Sequence, residues 1–367
     1  MRKSQMQDLR KVAGDLSGLY GMQDFTFNEG KAKGMRAIRM DNGRGLSATL
    51  LADRCLDIPY YSYKGVNLGA VMKTGLSGPS FFKEDGKHGF LKQFNGGLLT
   101  TCGILNAGAA NVFEGRALGL HGQMHNIPGT SVNKAEVAID GGGSGGGTPS
   151  LPGDAIALEA SAEMREACVF EEYVVLRRAV RLETERNVLH IADDLANCGF
   201  APAPLSILYH VNFGYPFIDA GTRLYFSTPS VEPYDETALR ALGRYALIEG
   251  AEVGRPEECF IHTGGSGEQF GLVHNERLGL AAALFFDIDA LPFFCQWKCM
   301  MAGDYALGLE PSASGFWGAS QAKEKGRLKY LGPGETQGYR LRVELYDSAL
   351  DDGAKAIERL KRRCKEG

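Results

Sequence analysis

The sequence LSILYHVNFGYPFID, residues 205–219, indicates a strand that leaves an apolar core and ends in a cluster of polar side chains. Tyr209, His210 and Asn212 follow the apolar residues in close succession, and a glycine and a proline then end the strand. His210 is the candidate for chemistry, since imidazole gives or takes a proton most readily near neutral pH. A buried histidine bonded to a backbone carbonyl is the alternative, so the rest of the chain has to supply partners for His210.

On both sides of this stretch the sequence alternates with a period of two, which is typical of antiparallel strands with one solvent-facing side. Residues 155–163, 174–183 and 339–346 each place apolar side chains on one side and polar or charged side chains on the other. Residues 41–43, Asp-Asn-Gly, separate two further short strands and predict a hairpin turn. Helices and strands do not alternate along the chain. We therefore expect an all-β protein, a large antiparallel β-sandwich.

Helical spacing of apolar residues occurs mainly near the two ends of the chain. Residues 1–20 and 349–366 each predict a short peripheral helix. Residues 140–154, DGGGSGGGTPSLPGD, cannot bury a core and predict a flexible surface loop. Because strands resume on both sides of this loop, we interpret it as an insertion and expect a single domain over residues 1–367.

Composition excludes several classes of function. Hydrophobic residues make up 44% of the chain and charged residues 23%, as is usual for a soluble protein with a core. The formal net charge of -4 gives no basic field for nucleic acid or an anionic membrane. No apolar run is long enough to span a bilayer, and the charged N-terminus is unlike a signal peptide. The eight cysteines follow no metal-finger or disulfide spacing, which predicts reduced thiols and a cytoplasmic protein.

Glu310 is the candidate base. It ends the apolar strand LGLE, and Pro311 follows it directly. A carboxylate held at such a partly buried strand end has its pKa raised and becomes a usable base near neutral pH. A water-exposed glutamate at a strand end is the alternative.

Two histidines lie four residues apart in GLHGQMHN. On a helix, His121 and His125 would have the spacing of a metal pair, but Gly119 and Gly122 favour a loop, and no glutamate follows His121 directly. We therefore predict no metal. A loop histidine bonded to its own backbone is the alternative for His121. Arg54, at the end of another apolar strand, is equally consistent with a ligand contact and with an internal ion pair.

The motifs FNGG, GLHG, YHVNFGYP and LGLEP occur in this order, and together they resemble the aldose 1-epimerase, or galactose mutarotase-like, family. The resemblance is to an uncharacterised branch with the pattern FNGG…GLHG…YHxNFGYP…GDYxLGxEP, and it covers roughly residues 30–347. It implies a supersandwich fold with a sugar cleft on a concave sheet. The implied reaction interconverts the α and β anomers of an aldose.

The resemblance also implies a role for three residues. Glu310 matches the base that takes the proton of the anomeric hydroxyl, and His210 matches the acid that protonates the ring oxygen. His121 matches the second histidine, which binds and polarises the sugar near that oxygen. The reaction requires no metal or other cofactor.

Other residues are candidates for sugar recognition. The candidates for binding hydroxyl groups, in falling order, are Tyr209, Asn212, Asn95, Gln123, Asp304 and Arg54. His125 is a further candidate, and either Asp304 or Asp235 matches the family's sugar-binding aspartate. Trp297 or Phe294 could stack on the apolar face of a sugar, although core packing is the commoner role of an aromatic residue.

Three classes of function remain after these arguments. The first is an isomerase, a mutarotase or an epimerase acting on a related sugar or sugar acid. The second is a non-catalytic carbohydrate-binding or sensor protein on the same scaffold, because a fold does not fix a function. A polysaccharide hydrolase or lyase is weaker, since a hydrolase needs two carboxylates and only Glu310 is well placed. The expected partner is a small-molecule carbohydrate, and the expected assembly is a monomer or a homodimer.

Overall fold

The computed structural model describes residues 3–139 and 155–366, so the Gly-rich loop predicted over residues 140–154 lies outside the described residues. Within the described ranges the helices are α1 (Lys3–Arg10), α2 (Lys87–Leu91), α3 (Glu236–Ala241), α4 (Ala319–Glu324) and α5 (Asp351–Glu366). In this part of the chain no helix is both long enough and apolar enough to cross a membrane.

Strands make up most of the regular structure. The strands before the Gly-rich loop are β1 (Gly21–Thr26), β2 (Arg36–Asp41), β3 (Leu46–Leu51), β4 (Asp57–Tyr63), β5 (Val66–Asn67), β6 (Ala70–Val71), β7 (Gly96–Gly97), β8 (Leu99–Cys102), β9 (Asn111–Phe113), β10 (Arg116–Leu118) and β11 (Thr130–Ala138). The strands after it are β12 (Ile156–Ala167), β13 (Tyr173–Glu183), β14 (Val188–Asn197), β15 (Ala203–Leu205), β16 (Leu208–Gly214), β17 (Arg223–Phe226), β18 (Ser230–Pro233), β19 (Glu258–Thr263), β20 (Glu268–Asn275), β21 (Leu280–Asp287), β22 (Phe293–Cys299), β23 (Ala306–Ser312), β24 (Lys329–Leu331) and β25 (Thr336–Asp347).

Two large antiparallel sheets form the body of the protein. The first sheet has the strand order β1-β2-β3-β4-β8-β16-β23-β22-β19-β18, with β5 beside β4. The second sheet has the order β11-β12-β13-β14-β25-β21-β20-β17. The main core contains side chains of both sheets, such as Val211 and Leu309 from the first and Leu176 and Ile191 from the second. The predicted all-β antiparallel sandwich is confirmed.

The register of β16 determines which of its side chains face the core. Tyr209 and Val211 belong to the main core, so the alternation of a strand places His210 and Asn212 on the opposite face of the first sheet. On that face β16 pairs with β23, with Asn212 opposite Gly308. This outer face of the first sheet is covered by segments that precede β8 and follow β10.

Short helices flank the sandwich at both ends of the chain, as predicted. The N-terminal helix is shorter than the predicted residues 1–20, because α1 ends at Arg10 and a separate 3-10 turn covers Leu16–Gly18. Asp15 has extended backbone and accepts a hydrogen bond from Ser17 N at 2.9 Å, so it begins a new turn and does not continue the helix. The C-terminal helix α5 packs on the second sheet through Ile357 and Leu360. The single-domain organisation stays a prediction.

A buried ion network joins the two sheets beneath β16. Arg178 of β13 donates hydrogen bonds to Asp193 at 2.6 and 2.8 Å, to Asp57 at 3.2 Å and to Thr101 at 2.7 Å. Tyr209 donates its hydroxyl proton to the same Asp193 at 2.8 Å. The Arg178 side chain is fully buried, so these bonds lie in a medium of low dielectric, where an unpaired charge is costly.

We predict that Arg178→Met lowers the free energy of unfolding by about 3–5 kcal/mol, because it leaves two buried carboxylates without their cation. Urea unfolding of the variant measures this loss. The matched control is Arg181→Met on the same strand, whose half-exposed ion pair with Glu159 should contribute at most about 1 kcal/mol. Equal stability of the two variants would contradict the prediction.

Candidate active site

His210 and Glu310 lie side by side on neighbouring strands. The pairing of Val211 with Leu309 and of Asn212 with Gly308 places His210 of β16 directly across from Glu310 of β23. The His210 Nε2 and Glu310 Oε1 atoms are 3.3 Å apart, and the side chains are only 6% and 2% exposed. The sequence separates these residues by a hundred positions, and the antiparallel register brings them together.

Gly308 makes the room that this pair occupies. It precedes Glu310 by two residues, so it lies on the same face of β23, between Asn212 on one side and Trp297 on the other. A Cβ atom on Gly308 would lie 2.3 Å from Glu310 Oε1 and 3.2 Å from His210 Cε1. Any side chain at this position would therefore displace the carboxylate.

His121 approaches the pair from a covering loop. Its backbone is left-handed, with φ of 60°, and its amide donates to Gly108 O at 2.9 Å. The Gly108 amide donates in return to His121 Nδ1 at 3.2 Å. Because Nδ1 accepts, the neutral ring carries its proton on Nε2, which is therefore a hydrogen-bond donor. The ring centroid lies 5.5 Å from that of His210.

Aromatic side chains surround the two histidines. Phe94 lies 5.0 Å from His210 and 6.0 Å from Trp297, measured between ring centroids. Trp297 lies 5.4 Å from His210, and Phe90 lies 4.7 Å from His121. Hydrogen-bonding groups bounded by aromatic faces are typical of small-molecule sites, and the apolar face of a sugar suits such walls.

Burial acts in opposite directions on the two members of the pair. It lowers the pKa of His210 well below the ordinary 6.5, and the nearby His121 adds to this effect. It raises the pKa of Glu310 well above the ordinary 4.5, and the charge of Glu257 adds to that. Both shifts favour the form of the pair that holds one proton and has no net charge. Burial also lowers the pKa of His121 to about 4, so its ring stays neutral.

Three polar atoms around this pair have no hydrogen-bond partner within the part of the chain that the structure describes. They are His210 Nδ1, Glu310 Oε1 and Asn212 Oδ1, and all three are buried. The Asn212 amide group itself donates to His210 O at 2.8 Å. Buried polar atoms are nearly always paired in folded proteins, so unpaired atoms on one sheet face indicate a place for the oxygen atoms of a ligand.

Tyr209, in contrast, is not brought to this cluster. It faces the core, is fully buried and donates to Asp193. Phe294 also lies on the core face, against Phe286 and Phe226. The alternation of β16 and β22 therefore separates these two residues from His210 and Trp297.

Arg54 holds the covering loops together. Its guanidinium donates to His125 O at 3.0 Å, Ser77 O at 3.2 Å, Gln93 O at 3.4 Å and Asn95 Oδ1 at 3.1 Å. Burial lowers its pKa to about 10. Arg54 thus binds Asn95 and the loop backbone. The sequence had left open a ligand contact or an internal ion pair for Arg54, and these hydrogen bonds are a third arrangement.

The remaining candidates lie around the edge of the cluster. The rings of His125 and His121 pack on Phe90 at 5.0 and 4.7 Å, so an aromatic ring contacts both histidines. Gln123 is exposed and donates to Glu84 at 3.3 Å. Asp304 pairs with Lys73 at 2.5 Å.

Asp235, the other candidate for the sugar-binding aspartate, caps helix α3 by accepting from Ala238 N at 2.9 Å.

Sequence reasoning missed four residues of the site: Gly308, Phe90, Phe94 and Glu257. Phe94 directly precedes Asn95 in the FNGG motif, and Gly308 stands two residues before Glu310 on the same strand face, so the motifs and the strand period contained a signal for both. Glu257 lies in a loop and accepts a hydrogen bond from Trp297 Nε1 at 2.7 Å. No local pattern marks that contact.

We predict that Gly308→Ala folds but moves the Glu310 carboxylate, because the added methyl group overlaps it. The strain should lower the free energy of unfolding by about 1–3 kcal/mol, and NMR titration of the His210 ring should show a changed pKa. Gly250→Ala is the control, since a Cβ there meets nothing within 4 Å. An unchanged His210–Glu310 distance in a crystal structure of the variant would contradict the prediction.

Comparison with known proteins places the sequence in a family. The family model described as Domain of unknown function (DUF4432) matches residues 32–345. No curated protein matches the sequence.

Solved structures match the whole fold at low identity. A candidate aldose 1-epimerase from Klebsiella pneumoniae superposes with a TM-score of 0.82 at 21% identity, over 97% of this chain and 90% of that chain. A galactose mutarotase-like protein from Clostridium acetobutylicum has a TM-score of 0.61 at 14% identity, over 90% and 99% of the two chains. A galactose 1-epimerase from Lactobacillus acidophilus has a TM-score of 0.53 at 12% identity, over 89% and 99%. The chain therefore belongs to the DUF4432 family and has the galactose mutarotase-like fold.

Proposed function

We propose that the protein is an aldose 1-epimerase-like isomerase, which interconverts the anomers of a sugar or sugar derivative by acid–base opening of the ring. The observation that carries the proposal is the buried His210–Glu310 pair, 3.3 Å apart, with unpaired polar atoms on both residues. A similar fold belongs to a protein named as a galactose 1-epimerase, which supports a sugar as the substrate.

The proposed reaction starts from the form of the pair in which its one proton lies on His210 and Glu310 is the carboxylate. One proton then moves onto the sugar and one proton moves off it. Glu310 accepts the proton of the anomeric hydroxyl, whose oxygen becomes the aldehyde oxygen as the bond from C1 to the ring oxygen breaks. His210 donates its proton to the ring oxygen, which becomes a hydroxyl. Rotation about the C1–C2 bond and reversal of both transfers close the ring on the other face of the aldehyde. The enzyme ends in its starting state, and no group outside the pair is oxidised or reduced.

The burial of the pair suits this exchange. In the form that burial favours, the pair holds one proton and so contains one acid and one base, and the substrate determines where the proton lies. His121 presents its Nε2 proton as a fixed hydrogen-bond donor, and we assign it the binding and polarisation of oxygen atoms near the ring oxygen. The Asn212 side chain offers its free oxygen to a sugar hydroxyl.

Trp297 supplies the proposed platform for the apolar face of the sugar, since it flanks the space above Gly308. The bound molecule is a small carbohydrate, and the reaction uses neither a metal nor another cofactor. A cytoplasmic location and a monomer or homodimer stay predictions from the sequence.

Glu310→Gln should lower the rate of anomer exchange by about 10²–10⁴-fold, because the amide cannot accept the anomeric proton. Sugar binding should change little, since the amide keeps one oxygen and nearly the same shape. NMR magnetisation transfer between anomers, over a panel of aldoses, deoxy sugars and sugar acids, measures the rate and names the substrate.

The control for this variant is Glu276→Gln, which makes the same substitution at an exposed position outside the site. Normal turnover by Glu310→Gln would exclude Glu310 as the base. Saturable binding by the wild-type protein without any exchange would favour the carbohydrate-binding alternative.

We also predict that kcat/KM stays flat through pH 6.5, the ordinary pKa of histidine. Below the plateau His210 takes up a second proton and the pair has no base. Above the plateau Glu310 loses the only proton and the pair has no acid. Since burial lowers the first pKa and raises the second, it widens the plateau on both sides.

Exchange rates corrected for the spontaneous reaction, measured across this range, test the profile. An inflection near pH 6.5 in kcat/KM would mean that a solvated histidine controls the reaction, and the buried pair would then not be the acid and base.

A further inference from the structure

A carboxylate lies at the Trp297 side of the proposed cleft, which is bounded by His121, His210, Glu310 and Trp297. Glu257, on the segment before β19, is exposed and accepts a hydrogen bond from Trp297 Nε1 at 2.7 Å. Trp297 pairs with Gly308 on one side and with Cys259 of β19 on the other. The bond to Trp297 therefore fixes the Glu257 carboxylate against a wall of the cleft.

The charge of Glu257 acts on the groups around it. It adds to the raised pKa of Glu310, of Cys259 and of Cys299. It also contributes to the raised pKa of Tyr234, a half-buried residue whose ring lies 4.7 Å from that of Phe316. All these effects have the sign of a negative potential.

A second carboxylate, Glu84, lies on the segment before α2 and contacts the loop that carries His121. Glu84 accepts a hydrogen bond from Gln123 at 3.3 Å. It also packs closely on Gly119, two residues before His121, since a Cβ there would lie 2.1 Å from Glu84 Oε1. Acidic side chains thus contact both the tryptophan wall and the histidine loop.

Two cations of the neighbouring segments, Lys73 and Arg54, have other partners. Lys73 pairs with Asp304 at 2.5 Å, close enough to Cys299 for both charges to act on that thiol. The Arg54 guanidinium is buried and donates to four oxygen atoms of the loops. These two cations therefore do not offset the repulsion between Glu257 and a negatively charged substituent on a ligand.

We propose that Glu257 is a specificity-determining residue, which makes the cleft select uncharged sugars over sugar acids and sugar phosphates. This inference rests on the proposed function, since it concerns the substrate of the same site. Like charges a few ångströms apart at a partly solvated surface disfavour binding on the order of tenfold. Glu257 also positions Trp297, and the two roles are separable, because glutamine keeps the acceptor oxygen and removes the charge.

The test compares matched sugars that differ only in charge: D-galactose with D-galacturonate, and D-glucose with D-glucuronate and glucose 6-phosphate. For the wild-type protein, kcat/KM of anomer exchange should be at least about tenfold higher for the uncharged member of each pair. Glu257→Gln should reduce this ratio on the order of tenfold, because it removes the charge and keeps the acceptor oxygen for Trp297. In the pH profile of kcat/KM for Glu257→Gln, the alkaline limb should move to lower pH, because the variant lacks the charge that helps to raise the pKa of Glu310.

Two further variants serve as controls. Glu257→Leu removes the acceptor as well as the charge, so it should weaken binding of all the sugars through Trp297. Glu252→Gln removes a charge from an exposed position on the same segment and should leave the ratio unchanged. A wild-type protein that prefers the charged sugar, or a ratio that Glu257→Gln leaves unaltered, would overturn the proposal.

The outcomes also separate this inference from the proposed function. If no sugar exchanges, the isomerase proposal fails, and tryptophan fluorescence still gives the ratio of dissociation constants for each neutral and charged pair. Trp297 is one of two tryptophans in the chain, so this signal is readily assigned with a Trp317→Phe variant. A binding ratio near one, or no binding of any of these sugars, would overturn the charge selection too.

Discussion

The buried ion network around Arg178 is the constraint on which the site depends. Hydrophobic contact between the two sheets is not directional, so it does not by itself fix how one sheet lies on the other. The hydrogen bonds from Arg178 to Asp193, Asp57 and Thr101 are directional and link β13 and β14 of the second sheet to β4 and β8 of the first. Tyr209 adds β16 to the same network through Asp193. The strands that carry the site are therefore held in position by the network on the core side of the first sheet.

This network explains why adjacent residues of β16 have different roles. Tyr209 points into the core and completes the network, and His210 points into the cleft. A slip of the register by one residue would exchange the two faces of the strand, leaving the tyrosine in the cleft and an imidazole beside Asp193. The polar cluster in the sequence was thus correctly placed at the end of an apolar strand. Which of these polar residues face the core depends on which face of the first sheet the second sheet covers. That depends on contacts between residues far apart in the sequence.

Other features of the protein also divide into those that local sequence patterns predict and those that depend on long-range contacts. Strands with strict alternation and the order of the motifs predicted the sandwich and placed His210, Glu310 and His121 in one site. The apolar periodicity predicted an N-terminal helix as far as residue 20. The structure has a shorter helix, because Asp15 caps a separate turn and the helix does not continue through it. Arg54, Phe90 and Glu257 owe their positions to loops that meet across the sheet, and no periodic pattern records such contacts. The sequence therefore predicted the strands and the residues of the motifs, and it missed the contacts that the loops make with one another.

The buried pair also connects binding to chemistry. In a cleft of low dielectric, a separated histidinium and carboxylate would be costly, so burial favours the uncharged form of His210 and Glu310. The unpaired Nδ1 and Oε1 atoms are a second cost, which a ligand with two suitably spaced oxygens removes. A cyclic hemiacetal has such oxygens on one carbon, one able to donate a proton and the other able to accept one. In the proposed reaction, binding of the hemiacetal would satisfy the two unpaired atoms and align the path of proton exchange. Gly308 permits the arrangement of the pair, because a Cβ atom at this position would lie 2.3 Å from Glu310 Oε1 and displace the carboxylate.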